Sequence, residues 1–136
     1  MPFVVDASVA AVWGLSDEDH PSADAARQRL ESDPAVVPAI WWFELRNTFL
    51  VNERRGRVSP VETADFLRIL ARMPIRLDHN PEEQRLLSLA RTHRLTVYDA
   101  AYLELALREG IPLATLDADL VRAAQAEAVP VLGATS

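Results

Sequence analysis

The chain has 136 residues, of which 49% are hydrophobic, and this size and composition predict one globular domain over residues 1–136. Cysteine and lysine are both absent, which excludes disulfides, thiolate zinc sites, P-loop NTPases and Schiff-base enzymes. The formal net charge of −6 argues against a broad nucleic-acid-binding surface, because such surfaces are usually basic.

The first half of the chain alternates short apolar runs with segments of helical periodicity. We predict strands at residues 3–5 and 35–37. Helices are predicted at residues 7–15, 22–31 and 40–55. Gly56 follows the last of these helices, and glycine is common immediately after a helix C-terminus.

The second half repeats the alternation. Ser59 is predicted to cap a helix, with Pro60 in the first turn and Glu62 completing a capping box. By the same logic, Asn80 is predicted to cap a helix that ends near His93. Further helices are predicted over 99–109 and from about 117 to 127, and strands at 75–77, 113–115 and 131–132.

Strands that alternate with helices imply parallel pairing, because each crossover carries a helix. The strands are short and apolar, as expected when helices cover both faces of the sheet. We therefore predict an α/β fold, a three-layer α/β/α sandwich with a short parallel central sheet. Sites in such folds lie beyond the carboxyl ends of the strands, and Asp6 and Asp117 each follow a strand at that edge.

Aspartates stand at three of the predicted helix starts, namely Asp6, Asp99 and Asp117. Aspartate is also a favoured N-cap, so capping is an alternative interpretation for each of them. Glu44 differs, because it lies in the strongly apolar segment IWWFELRNTFL and shares a helical face with Asn47. A buried charge is costly unless it is paired or bound to a metal, although a solvated helix edge remains the alternative for Glu44.

The four carboxylates together suggest a cation. Two carboxylates 4 Å apart repel by about 4 kcal/mol at an effective dielectric constant near 20. Four in one pocket would need a cation or strongly raised pKa values. Mg²⁺ and Mn²⁺ suit sites made of oxygen ligands, and the histidines at positions 20, 79 and 93 are too scattered to form a ligand set.

Three segments carry a resemblance that spans nearly the whole chain. They are VVDASV, PAIWWFELRNTFL and TVYDAAYLELALREGIPLATLDADL, in that order. They resemble the motifs of PIN-domain ribonucleases, and specifically of the VapC-type toxins of bacterial toxin–antitoxin pairs. The matching positions are Asp6, Ser8, Glu44, Asn47, Asp99, Thr115 and Asp117.

The resemblance implies a metal-dependent endoribonuclease that hydrolyses RNA phosphodiester bonds. Asp6, Glu44, Asp99 and Asp117 would be catalytic and would hold one or two Mg²⁺ or Mn²⁺ ions, with Asp6 and Asp99 as the best direct ligands. Neighbouring polar groups would orient these carboxylates or cap a helix. The supporting candidates are Ser8, Asn47, Thr115 and Asp119.

Arginines are the candidates for contact with the RNA backbone. They are Arg46, Arg54, Arg55 and Arg57. For the last three, a solvated helix end with arginines near the negative end of the helix dipole is the alternative. Bulky groups such as Trp41, Trp42 and Phe49 could line a core or an interface, and we expect most of them in the core.

The resemblance also implies a homodimer and a cognate antitoxin whose C-terminal segment occupies the cleft. No apolar run approaches the roughly 20 residues that cross a bilayer, and MPFVVDAS lacks the basic region of a signal peptide, so we expect a cytoplasmic protein. Two alternatives stay open at this point. One is a Mg²⁺-dependent DNA or flap-type nuclease, and the other is a catalytically silent domain that only binds a partner.

Overall fold

A computed structural model describes residues 1–15 and 20–133 of the chain. Within these residues, four strands alternate with seven helices. The elements in chain order are β1 (Phe3–Val5), α1 (Ala7–Gly14), α2 (Pro21–Arg29), β2 (Ala35–Pro38), α3 (Ile40–Arg54), α4 (Pro60–Leu70), β3 (Ile75–Asp78), α5 (Glu83–His93), α6 (Val97–Glu109), β4 (Leu113–Ala114) and α7 (Ala118–Ala126).

The four strands form one parallel sheet in the order β3-β2-β1-β4. Every residue of β1, β2 and β4 is buried, as expected when helices cover both faces of a parallel sheet. The predicted α/β fold with a short parallel sheet is therefore confirmed. Because β1 and β4 are neighbours, the residues that follow them meet at the same edge of the sheet.

Most predicted boundaries agree with the structure to within two residues, but the predicted strand at 131–132 is wrong. Only one isolated bridge forms there, between Leu113 and Val131. The capping box of α4 is confirmed, since the Ser59 hydroxyl accepts from the Glu62 N–H and the Glu62 carboxylate accepts from the Ser59 N–H.

Two predicted helix starts are corrected. Helix α5 is capped by Glu82 rather than by Asn80, whose N–H is instead donated to the Asp78 carboxylate at 3.3 Å. Helix α6 is capped by Thr96, whose hydroxyl accepts from the Asp99 N–H at 3.0 Å. Asp99 is therefore the third residue of α6 and its carboxylate is not used for capping.

On helix α3, the hydrophobic residues that face the core are spaced four residues apart. Trp41, Leu45 and Phe49 are buried, so the expectation of a core position is correct for the first tryptophan and the phenylalanine. Trp42 is 42% exposed and Phe43 63% exposed, so most of the named bulky groups lie in the core, as expected, and Trp42 is the exception. The physical reason is geometric, because one step along a helix rotates a side chain by about 100° away from the buried face.

A buried ionic network ties the end of β3 to α6. The Arg108 guanidinium donates to both oxygens of Asp78, at 3.2 and 2.7 Å, and to both oxygens of Glu104, at 2.8 and 3.0 Å. Glu104 is fully buried and Asp78 nearly so. Each carboxylate is thus paired, as a charge in a protein interior must be. No helix in the described part of the chain is long and apolar enough to span a membrane.

Candidate acidic active site

Asp6 is the most deeply placed carboxylate at the sheet edge. It directly follows β1 and caps α1, with its Oδ1 accepting from the Val9 N–H at 3.1 Å and from the Ser8 hydroxyl at 2.6 Å. The Thr115 hydroxyl donates to Oδ2. Burial raises the pKa of Asp6 to about 6, against the lowering effect of these hydrogen bonds, and the Asp117 charge adds to the rise.

The two hydroxyls next to Asp6 fasten the loop after β4 to the start of α1. Thr115 Oγ1 also accepts from the Asp117 N–H at 3.0 Å, and Ser8 Oγ accepts from the Leu116 N–H at 3.1 Å. Each hydroxyl therefore donates to Asp6 and accepts from a backbone N–H of the loop after β4. This arrangement fixes the Asp6 carboxylate and positions the loop that carries Asp117.

Asp117 is both a helix cap and a neighbour of the other carboxylates. Its Oδ1 accepts from the Asp119 and Leu120 N–H groups of α7, at 2.8 and 3.2 Å. Asp6 and Asp117 therefore do cap helices, as the alternative interpretation held. In both residues, however, the carboxylate keeps lone pairs that are free for other contacts. Asp119 lies at the exposed surface, where it pairs with Arg122 at 2.8 Å.

Glu44 and Asp99 supply the other side of the site, from α3 and α6. Glu44 is half-buried, and burial raises its pKa. The hydrogen bond from Tyr102 lowers this pKa, and the charge of Asp99 raises it further. The pKa of Asp99 is raised by burial and then by the Asp117 charge; the Thr96 hydrogen bond acts in the opposite direction, and Asp119 adds a smaller rise.

The carboxylates form a connected series of repelling charges. Asp6 interacts with Asp117, Asp117 with Asp99, and Asp99 with Glu44. The four acidic residues singled out in the sequence therefore lie within electrostatic reach of one another, pair by pair. Four neighbouring carboxylates of which three have raised pKa values are an unfavourable concentration of negative charge.

The donor set fits a hard divalent cation. All four groups offer carboxylate oxygens, which Mg²⁺ and Mn²⁺ prefer, and a cation would relieve their mutual repulsion. Among residues 1–15 and 20–133, however, no three His, Asp or Glu side chains stand close enough to form a ready-made metal site.

Tyr102 belongs to this site and was not singled out in the sequence. It is almost fully buried in α6, and its hydroxyl donates to Glu44 Oε1 at 2.5 Å. Burial and the adjacent Glu44 hold the pKa of Tyr102 far above its usual range, so the hydroxyl keeps its proton. The available signal was its position three residues after Asp99, which puts both side chains on one face of a helix.

The remaining polar candidates lie on α3 or directly after its end. Asn47 is exposed on α3. Arg46 is partly buried against the Trp42 ring, 3.6 Å from its centroid, and burial lowers its pKa. The exposed arginines at positions 54, 55 and 57 gather at the end of α3, about 15 Å along the helix from Glu44.

The fold and the acidic site define a class of protein, an α/β protein with carboxylates gathered at the carboxyl edge of a parallel sheet. The family model for the PIN domain matches residues 3–126, and the chain belongs to that family. PIN domains are generally nucleases, which are hydrolases. No curated protein matches the sequence at a significant level.

Several solved structures share the fold. PAE2754 from Pyrobaculum aerophilum has a TM-score of 0.71 and 22% identity, with 90% of this chain and 84% of that chain covered. VapC20 from Mycobacterium tuberculosis, a sarcin–ricin loop cleaving toxin, has a TM-score of 0.60 and 16% identity, with 89% and 94% covered. VapBC2 from Rickettsia felis, bound to a DNA fragment from its promoter, has a TM-score of 0.64 and 12% identity, with 96% and 97% covered.

Proposed function

We propose that the protein is a Mg²⁺- or Mn²⁺-dependent endoribonuclease and the toxin of a VapBC-type toxin–antitoxin pair. The observation that carries the proposal is the series Glu44–Asp99–Asp117–Asp6, in which each carboxylate is close enough to the next for their charges to repel. Family membership supports nuclease chemistry, and the connected carboxylates supply the ligand set that such chemistry needs.

Asp6, Asp99, Glu44 and Asp117 would hold one or two divalent ions. When bound, such an ion lowers the pKa of a water molecule and offsets negative charge on the phosphoryl group. The protein groups around the carboxylates keep them in place. Ser8 and Thr115 hold Asp6, and the first turn of α7 holds Asp117.

The charge of the site has a consequence for substrate binding. Without a cation, the carboxylates repel a phosphodiester, so both binding and cleavage should depend on the ion. Arginines outside the pocket would attract the phosphate backbone of the RNA. Arg46, Arg54, Arg55 and Arg57 are the proposed contacts. The first two lie on the same helix as Glu44, and the other two directly follow its end.

A protein partner is part of the proposal. VapBC2 from Rickettsia felis and a Klebsiella pneumoniae structure are toxin–antitoxin complexes with the same fold, and the second has a TM-score of 0.53. The exposed Trp42 and Phe43 on α3 support association with another protein, because interfaces are enriched in exposed aromatic side chains. We propose a cognate antitoxin and a homodimer, acting in the cytoplasm.

A cleavage assay tests the nuclease proposal. Structured RNA and a DNA oligonucleotide of the same sequence are incubated with the protein at fixed salt, with Mg²⁺, with Mn²⁺ and with EDTA. We expect cleavage of RNA with either ion, none in EDTA, and none by Asp99→Asn. Preferential DNA cleavage would favour the DNA or flap-type nuclease, and a folded protein that cleaves neither would favour a catalytically silent domain.

A growth assay tests the toxin role separately. Expression of the protein alone should arrest growth, and co-expression of the protein encoded next to it should relieve the arrest. Asp99→Asn should be harmless. Normal growth during expression of a protein that is active in vitro would contradict the toxin role and leave the nuclease role intact.

A further inference from the structure

The Tyr102 hydroxyl joins two elements of the site, α6 and α3. Tyr102 is 2% exposed, and its Oη lies 2.5 Å from Glu44 Oε1 on α3. The hydroxyl also lies close enough to Asp6 for the charge of that carboxylate to act on it. One buried side chain therefore links α6 to α3, the helix that carries Glu44.

Glu44 needs such support more than Asp6 or Asp117 does. Asp6 receives three hydrogen bonds and Asp117 receives two, whereas the Tyr102 hydroxyl is the one side-chain donor that contacts the Glu44 carboxylate within the described residues. Glutamate also has one more rotatable bond than aspartate, so it loses more conformational freedom when it is fixed. Without a donor on Oε1, the Glu44 side chain would sample several rotamers.

We propose that Tyr102 is a positioning residue, which orients the Glu44 carboxylate through Oε1 and leaves Oε2 available to a divalent ion or its bound water. The proposal rests on the nuclease function proposed above and assigns a role within that site. Groups that orient a metal ligand typically change metal affinity or activity by about 10- to 100-fold when they are removed. A hydroxyl that served only to satisfy a buried polar atom would change stability and not metal binding.

The test compares Tyr102→Phe with Tyr98→Phe. Both substitutions remove one phenol hydroxyl, and Tyr98 is 58% exposed and next to Asp99 in sequence, so it controls for a nearby change that does not touch Glu44. Mn²⁺ affinity is measured by calorimetry on metal-free protein, together with kcat and KM for RNA cleavage and with the melting temperature without metal.

For Tyr102→Phe we expect Mn²⁺ binding about 10- to 100-fold weaker and a similar loss in kcat, with KM for RNA changed by less than about threefold. Tyr98→Phe should match the wild type. Mn²⁺ affinity and kcat of Tyr102→Phe within twofold of the wild type would overturn the proposal.

A double-mutant cycle shows whether the effect passes through Glu44. In a Glu44→Ala background, Tyr102→Phe should change Mn²⁺ affinity by less than about twofold, because the group it orients is gone. The double variant lacks both the Glu44 carboxylate and the Tyr102 hydroxyl, so neither group is left buried without its partner. The cycle therefore also covers the case in which Tyr102→Phe alone unfolds. A full additional loss in that background would contradict the proposed role. Wild-type protein that neither binds Mn²⁺ nor cleaves RNA would instead overturn the nuclease proposal and this inference with it.

Discussion

Asp6→Asn should stabilise the metal-free protein at neutral pH while it abolishes cleavage. Asp6 is 5% exposed, and burial raises its pKa from the ordinary 3.8 to about 6. The folded state therefore binds a proton more tightly than the unfolded state does. When a group has a higher pKa in the folded state than in the unfolded state, the unfolding free energy falls as pH rises between those two pKa values.

The size of the effect follows from the same shift. A rise from 3.8 to about 6 corresponds to about 3 kcal/mol of destabilisation once Asp6 is ionised in both states. Asparagine avoids this penalty and still accepts from Ser8 and the Val9 N–H, but its amide nitrogen cannot accept from Thr115. The lost hydrogen bond costs about 1 kcal/mol, so the net gain above pH 7 is about 2 kcal/mol.

Urea unfolding of both proteins in EDTA, at several pH values from 4 to 8, measures this difference. The unfolding free energy of Asp6→Asn relative to the wild type should rise by about 2–3 kcal/mol from pH 4 to 8, mostly between pH 4 and 6. Asp24→Asn, at an exposed position on α2, is the control and should show a small difference that changes little with pH. A difference between Asp6→Asn and the wild type that is independent of pH would refute the assignment of Asp6 as a buried carboxylate of raised pKa.

Three further substitutions test other parts of the structure. Arg108→Ala should lower the unfolding free energy, measured in urea, by about 3–5 kcal/mol, because it leaves Asp78 and Glu104 buried without their partner. A loss below about 1 kcal/mol would show that water solvates the network. Thr115→Val should reduce kcat by about 10- to 100-fold in the RNA assay with near-normal expression, since it removes a donor to the most buried of the four site carboxylates, and unchanged kcat would contradict that role. Asp119→Asn should keep kcat within about threefold, because this exposed side chain pairs with a surface arginine; a loss as large as that of Asp99→Asn would place it among the catalytic groups.

The sheet and the position of Asp6 and Asp117 at its carboxyl edge were accessible to sequence reasoning because they depend on local patterns. Apolar runs alternating with helical periodicity require parallel strands, and Asp6 and Asp117 each come shortly after a strand. The parallel arrangement of neighbouring strands then puts both residues at one edge, whatever lies between them in sequence. Ser59 and Glu62 were predicted correctly for the same reason, since a capping box is complete within four residues.

The features that were missed depend on contacts between distant elements. A tyrosine in an apolar helix usually indicates core packing, and only the approach of α3 to α6 gives the Tyr102 hydroxyl its acceptor on Glu44. Asn80 has the right residue type for a cap, but the ionic network at the end of β3 draws its N–H to Asp78. The outward direction of Trp42 depends on which side of α3 faces the sheet.

Anomalous diffraction from crystals grown with Mn²⁺ tests most directly whether the four carboxylates share an ion. The account predicts a peak about 2.1 Å from oxygens of Asp6 and Asp99, with Glu44 and Asp117 bound directly or through water, and its loss in crystals of Asp99→Asn. Saturating Mn²⁺ with no peak at this edge of the sheet, or peaks confined to surface carboxylates such as Asp119, would contradict it.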